Sequence, residues 1–154
     1  MVLIDEEKGV LTSHNNLLTN PRYQVKTVTK PAVMADILRV HDYRYIKNVI
    51  QRCKAIELAD EPLGRYDRDS TLSPESWQAA LLSSGSIIEA IDFVMSGKFK
   101  NGFCAVRPPG HHAGVFGKTF KNNVCDQEQT NGFCYINNVA VAAAYLRNVY
   151  RHKI

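Results

Sequence analysis

From Arg107 to Gly114 the chain reads Arg-Pro-Pro-Gly-His-His-Ala-Gly. Its adjacent imidazoles, His111 and His112, belong to the side chain whose unperturbed pKa lies near neutrality, so they can donate and accept protons. The frame around them is stiff: Pro108 and Pro109 fix φ and bar helix, and Gly110 allows a conformation that other residues avoid. Rigid placement is what a catalytic site requires. A merely packed or exposed imidazole pair is the plainer alternative. Histidines that share a metal from one helix face use a different spacing, as in HExxH. The remaining histidines, His14, His41 and His152, have no fitting partners for a metal site. Cys53, Cys104, Cys125 and Cys134 show no CxxC spacing, which argues against a thiolate zinc knuckle and against a disulfide framework.

The segments on either side must position those rings. Phe103-Cys104-Ala105-Val106 is short, apolar and preceded by the turn pair Asn101-Gly102, which predicts a buried strand running into the histidine loop. The carboxyl end of a strand is where α/β sheets bind ligands. A polar insertion over residues 115–131 follows, then Gly132-Phe133-Cys134-Tyr135-Ile136-Asn137-Asn138 leads into an Ala/Val-rich helix from about 138 to 150. Upstream, Ser73-Pro74-Glu75 reads as a helix start, with a hydroxyl cap, a proline in the first turn and an acid near the positive pole. Apolar residues from Trp77 to Met95 recur at three and four, and Gly97 ends that helix. Met34, Ile37, Leu38, His41, Tyr45, Ile46 and Val49 predict a single helix with Pro31 in its first turn. Residues 59–72 read as a polar loop and residues 25–29 as a short strand. The order helix, helix, strand, loop, helix argues for an α/β fold with a parallel sheet flanked by helices.

Length and composition narrow the function classes. The chain has 154 residues, 45% hydrophobic and 22% charged, which suits one domain and excludes a disordered tail. A net charge of +4 is too mild to imply direct nucleic-acid binding. The basic cluster Arg147, Arg151, His152, Lys153 reads as a solvated helix end with cations near its negative pole. No uninterrupted run reaches the ~18 apolar residues of a membrane span. Asp5, Glu6 and Glu7 stand where a signal peptide carries base. The expectation is a soluble intracellular protein without a membrane partner.

Arg107–Ala113 and Gly132–Asn138, in that order, resemble the zinc-dependent histone deacetylase family, which shares its α/β fold with arginase. His41-x-x-x-Tyr45-Ile46 and Asp69-Ser70-Thr71-Leu72-Ser73-Pro74 are similar to upstream segments of that family, so the resemblance covers about residues 25–150. It implies an arginase/deacetylase-like fold in which residues 25–154 form the N-terminal part of the catalytic domain, after an atypical segment at 1–24. His112 would be the general base that takes a proton from water and returns it to the leaving lysine amine. His111 would be its electrostatic partner. Gly132 would offer its carbonyl to the substrate amide, Phe133 would wall the acyl-lysine tunnel, and Asp69 would be the rim acid that binds the substrate backbone.

The resemblance also implies zinc, with ligands expected downstream of this chain and none within it, so that the segment alone would be inactive. Substrates would be acetyl-lysine in histone tails or other proteins. Partners would include a corepressor complex and a second chain completing the sheet. The expected location is the nucleus, with the cytoplasm as a second compartment. The competing readings are a non-catalytic deacetylase-like module that recruits partners and a deacetylase of acetylated polyamines.

Overall fold

A computed structural model describes residues 24–27, 29–67, 70–119, 125, 126, 130 and 132–154. The described helices are α1 (Met34–Ile37), α2 (Tyr43–Leu58), α3 (Ser76–Met95) and α4 (Asn138–Val149). Helix α3 packs on both α2 and α4. Their shared core holds Ile37, Tyr45, Ile46, Val49, Trp77, Tyr135, Ile136 and Val141.

The single helix expected from Pro31 is two helices, the first beginning at Met34, broken between Ile37 and Tyr43. The apolar period runs through the break, but Asp42 takes an extended backbone and caps α2 by accepting the Arg44 N–H. Helix α3 starts later than expected. Residues 73–76 form a turn in which Ser76 N–H donates to the Ser73 carbonyl and Ser76 Oγ accepts the Ser73 N–H. It ends as expected: Gly97 lies at φ 74°, its N–H donates to the Val94 carbonyl, and Lys98 N–H donates to that of Phe93. By length and composition α3 could cross a membrane. Here its serines Ser83 and Ser84 are buried and hydrogen-bonded within the fold.

The strand pairs among the described residues are two antiparallel ribbons: β1 (Gly64–Arg65) with β2 (Thr71–Leu72), and β3 (Lys118–Thr119) with β4 (Cys125–Asp126). They interrupt the two stretches expected to be polar loops. Leu72, Ser70 and Tyr66 are buried, so the first ribbon is also part of the core. Residues 103–106 form no ladder, and Phe103 is 60% exposed. A parallel strand exists only beside a neighbour brought from a distant part of a sheet, and no described residue pairs with these four.

Candidate active site

The loop 107–114 contains no regular element, and its shape is dictated by hydrogen bonds to its backbone. Ser83 Oγ donates to the Pro108 carbonyl at 3.0 Å, Val139 N–H to that of Gly110 at 3.1 Å, and Asn137 Nδ2 to that of Ala113 at 2.8 Å. His111 N–H points at the Cys134 sulfur, 3.5 Å away, and the Cys134 thiol donates to the Gly132 carbonyl at 3.3 Å. The Arg107–Pro108 peptide is cis, and Gly114 and Gly117 exchange backbone hydrogen bonds. A Cβ on Gly110 would lie 2.3 Å from Asn138 Cγ, so the loop reaches the start of α4 only because this residue is glycine.

This scaffold brings His111 and His112 together, with ring centroids 4.1 Å apart and planes inclined by 48°. Both rings are exposed and open to a reactant. Gly132 lies directly against His112: a Cβ built there would stand 2.6 Å from His112 Cδ2. Gly132 and Phe133 both adopt left-handed backbone, at φ 55° and 63°. A phenylalanine there is uncommon and strained, a feature that clusters at functional sites. The turn leaves the Phe133 ring 54% exposed beside the histidine pair's glycine neighbour. Four of the five site residues expected from sequence therefore lie in two facing segments. The fifth, Asp69, lies outside the described residues.

Asp67, not singled out from sequence, ties the rim together. One of its carboxylate oxygens accepts the Ser70 N–H at 2.8 Å, and the other accepts Thr130 N–H and Thr130 Oγ1–H at 2.7 and 2.8 Å. Because a carboxylate only accepts, the Thr130 hydroxyl proton is committed, and Ser70 Oγ donates to Thr130 Oγ1 at 2.7 Å. Asp67 and Ser70 are thus clamped to Thr130, two residues before Gly132. Asp67→Ala leaves these buried donors unpaired, and hydrogen bonds to a charged group contribute about 1.5–3 kcal/mol each. With partial compensation we expect a loss of roughly 2–4 kcal/mol in urea unfolding, and Asp67→Asn loses less because it keeps an acceptor oxygen.

The sequence also gave no role to His41 or to the asparagines. Asn138 Nδ2 donates to Ser83 Oγ, and Asn138 Oδ1 accepts from Ser84 Oγ, joining α4 to α3 behind the loop. Asn137 Oδ1 caps α4 by accepting the Ala140 N–H. His41 is buried, and its Nε2 accepts the Asn137 N–H at 2.9 Å. Burial pulls its pKa below the ordinary 6.5 by disfavouring the imidazolium, against a smaller upward pull from the Val115 and Gly114 backbone. Below pH 6.5 the unfolded chain therefore binds a proton at His41 that the folded chain refuses. Its contribution is full above that pH and is lost as the pH falls toward the folded-state value, with a slope approaching about 1.4 kcal/mol per pH unit. Melting curves recorded between about pH 7.5 and 5 are expected to show this slope in the native sequence and a shallower one in His41→Gln.

Elsewhere, burial raises the Cys53 and Cys104 thiols, and Cys53, Cys104 and Cys134 are all free. Among the described residues no three His, Cys, Asp or Glu side chains converge in a way that could hold a metal ion. They do not by themselves fit a zinc site. What they present is an exposed histidine pair beside a strained glycine–aromatic turn.

Comparison with known proteins places this arrangement. Residues 6–154 match the family model of the histone deacetylase domain. Histone deacetylase 8 of Arabidopsis thaliana is 30% identical over 118 residues, covering 77% of this chain and 27% of that protein. The histone deacetylase-like amidohydrolase of Pseudomonas aeruginosa is 38% identical over 112 residues, covering 73% of this chain and 25% of the relative. The chain thus spans about a quarter of the length of each. The crystal structure of the HDA15 HD domain superposes with a TM-score of 0.63 at 26% identity, over 81% of this chain and 31% of that one. That likeness gives the chain the arginase/deacetylase fold. The domain match covers nearly the whole sequence, and the chain belongs to the histone deacetylase family.

Proposed function

We infer that this chain supplies the histidine-pair side of a lysine deacetylase acting on acetyl-lysine in histone tails or other proteins. The observation that carries the reading is the placement of His111 and His112, 4.1 Å apart and exposed, with His112 against Gly132.

Hydrolysis of an acetyl-lysine amide consumes one water and releases acetate and the lysine amine. A base must take a proton from the attacking water, and an acid must return one to the departing nitrogen. His112 performs both transfers in turn, and His111 beside it biases its charge. The Gly132 carbonyl keeps a lone pair after accepting the Cys134 thiol and receives the substrate N–H. The Phe133 ring covers the methylenes of the lysine stem, for which an apolar wall is suited. Asp69, next in sequence to Ser70, is the rim acid that the family resemblance assigns. The family is zinc-dependent in general. Since the described residues do not form that site, the zinc ligands lie outside them.

The test is acetate release from an acetyl-lysine peptide by the native protein, with an acetylated polyamine offered in parallel. Faster turnover of the peptide supports the reading, and preference for the polyamine moves the substrate class. Absence of both reactions in a folded, zinc-supplied protein leaves the recruiting-module reading standing.

A further inference from the structure

We propose that His41 is a positioning residue: with Tyr45 it grips the backbone at Asn137 and Tyr135 and so holds the Gly132–Phe133 turn against the loop carrying His112. Its consequence for catalysis rests on the deacetylase reading, whereas its geometry does not.

The two side chains bind the two successive peptide groups on either side of Ile136 with opposite polarity. His41 Nε2 accepts the Asn137 N–H at 2.9 Å, and Tyr45 Oη donates to the Tyr135 carbonyl at 2.7 Å. Both are almost wholly buried, and their rings lie 5.6 Å apart. The adjoining residue grips the other side of the site, since Asp42 N–H donates to the Val115 carbonyl at 3.0 Å. Asn137 Nδ2 in turn reaches the Ala113 carbonyl. The result is a closed circuit from His41 through Asn137 to Ala113, along the chain to Val115, and through Asp42 back to His41. One arm continues from Ala113 to His112, and the other runs back from Tyr135 to Gly132. A shift in the circuit changes the spacing between His112 and Gly132.

This arrangement requires a particular imidazole rather than a space-filling ring. An N–H donor at Nε2 forces that nitrogen to be unprotonated, so the ring proton sits on Nδ1. Nδ1 is buried without a regular hydrogen-bond partner, and the backbone of Gly114 and Val115 interacts with the ring. An apolar replacement would fill the volume and leave the Asn137 N–H buried without an acceptor. Glutamine can place an oxygen where Nε2 stands.

The experiment compares His41→Leu, His41→Gln and Tyr45→Phe in the native protein. One readout is the NMR proximity signal between the His112 Hδ2 and the Gly132 α-protons, and the other is kcat and KM on an acetyl-lysine peptide. We expect His41→Leu to weaken the proximity signal and lower kcat roughly 10- to 100-fold with little change in KM, as a displacement of the order of 1 Å does at a catalytic base. His41→Gln is expected to restore both to within about threefold. A leucine variant that keeps the signal and the turnover overturns the proposal, and so does a folded glutamine variant that behaves like leucine. Should His41→Leu fail to fold, His41→Gln with wild-type geometry and Tyr45→Phe with a weakened His112–Gly132 signal support it, and the opposite pair of results overturns it. If the native protein does not deacetylate, the deacetylase reading fails while the proximity signal still decides the role of His41.

Discussion

Replacing His112 with alanine is expected to lower acetyl-lysine hydrolysis by roughly 10²- to 10⁴-fold, the range a positioned general base supplies. The same change should alter stability by no more than about 0.5 kcal/mol, because exposed side chains away from special backbone features carry little folding energy. Both halves follow from how the loop is held. Its anchors are backbone groups, namely the carbonyls of Pro108, Gly110 and Ala113 and the N–H of His111. None of them involves the His112 imidazole. Removing that ring therefore takes away the proposed proton carrier and leaves its platform. Steady-state assays with an acetyl-lysine peptide, alongside thermal melts of both forms, measure the two effects separately. His111→Ala should fall less far, since a ring that only biases the charge of its neighbour transfers no proton itself. If His112→Ala turned over substrate at the native rate, the assignment of the base would be wrong. If instead it unfolded, the loop would be held by more than its backbone.

What the sequence disclosed and what it concealed divide along the range of the interactions involved. The helix from Asn138 was legible because its Ala and Val residues are near neighbours along the chain, and the end of α3 was legible because a glycine after the last periodic residue is a local signal. The break at residues 38–42 was not, since the apolar period continues through it. It is imposed by His41 reaching Asn137 and Asp42 reaching Val115, partners 96 and 73 residues away along the chain. The expected strand at 103–106 is a non-local object for the same reason, defined by neighbours rather than by its own residues. Within the site, the histidine pair was visible because two prolines and a glycine frame it. The Asp67 clamp was hidden because its partner Thr130 lies 63 residues on, inside a stretch that reads only as polar. One usable signal was available: in His41-x-x-x-Tyr45 a polar ring lies on an otherwise apolar face, and a buried imidazole must find a partner.

Gly132→Ala tests whether contact between the two segments, and not merely their presence, governs the base. An L residue held at φ 55° sacrifices roughly 1–2 kcal/mol of stability through backbone strain alone. The new methyl would also stand 2.6 Å from His112 Cδ2, whereas carbon atoms in contact settle about 3.5–4.0 Å apart. Something must yield by about 1 Å, and the exposed imidazole is softer than the backbone of the turn, which Tyr45, His41 and Cys134 restrain. The strain should therefore appear as a displaced base, lowering kcat by roughly 10- to 100-fold. A double-mutant cycle isolates that route. In a His112→Ala background the methyl meets no ring, so Gly132→Ala should retain its stability cost and lose most of its effect on turnover. Mutations acting through one group are non-additive in this way. Equal losses of turnover with and without the imidazole would mean that Gly132 acts on substrate through its own backbone, and that its closeness to His112 is packing alone.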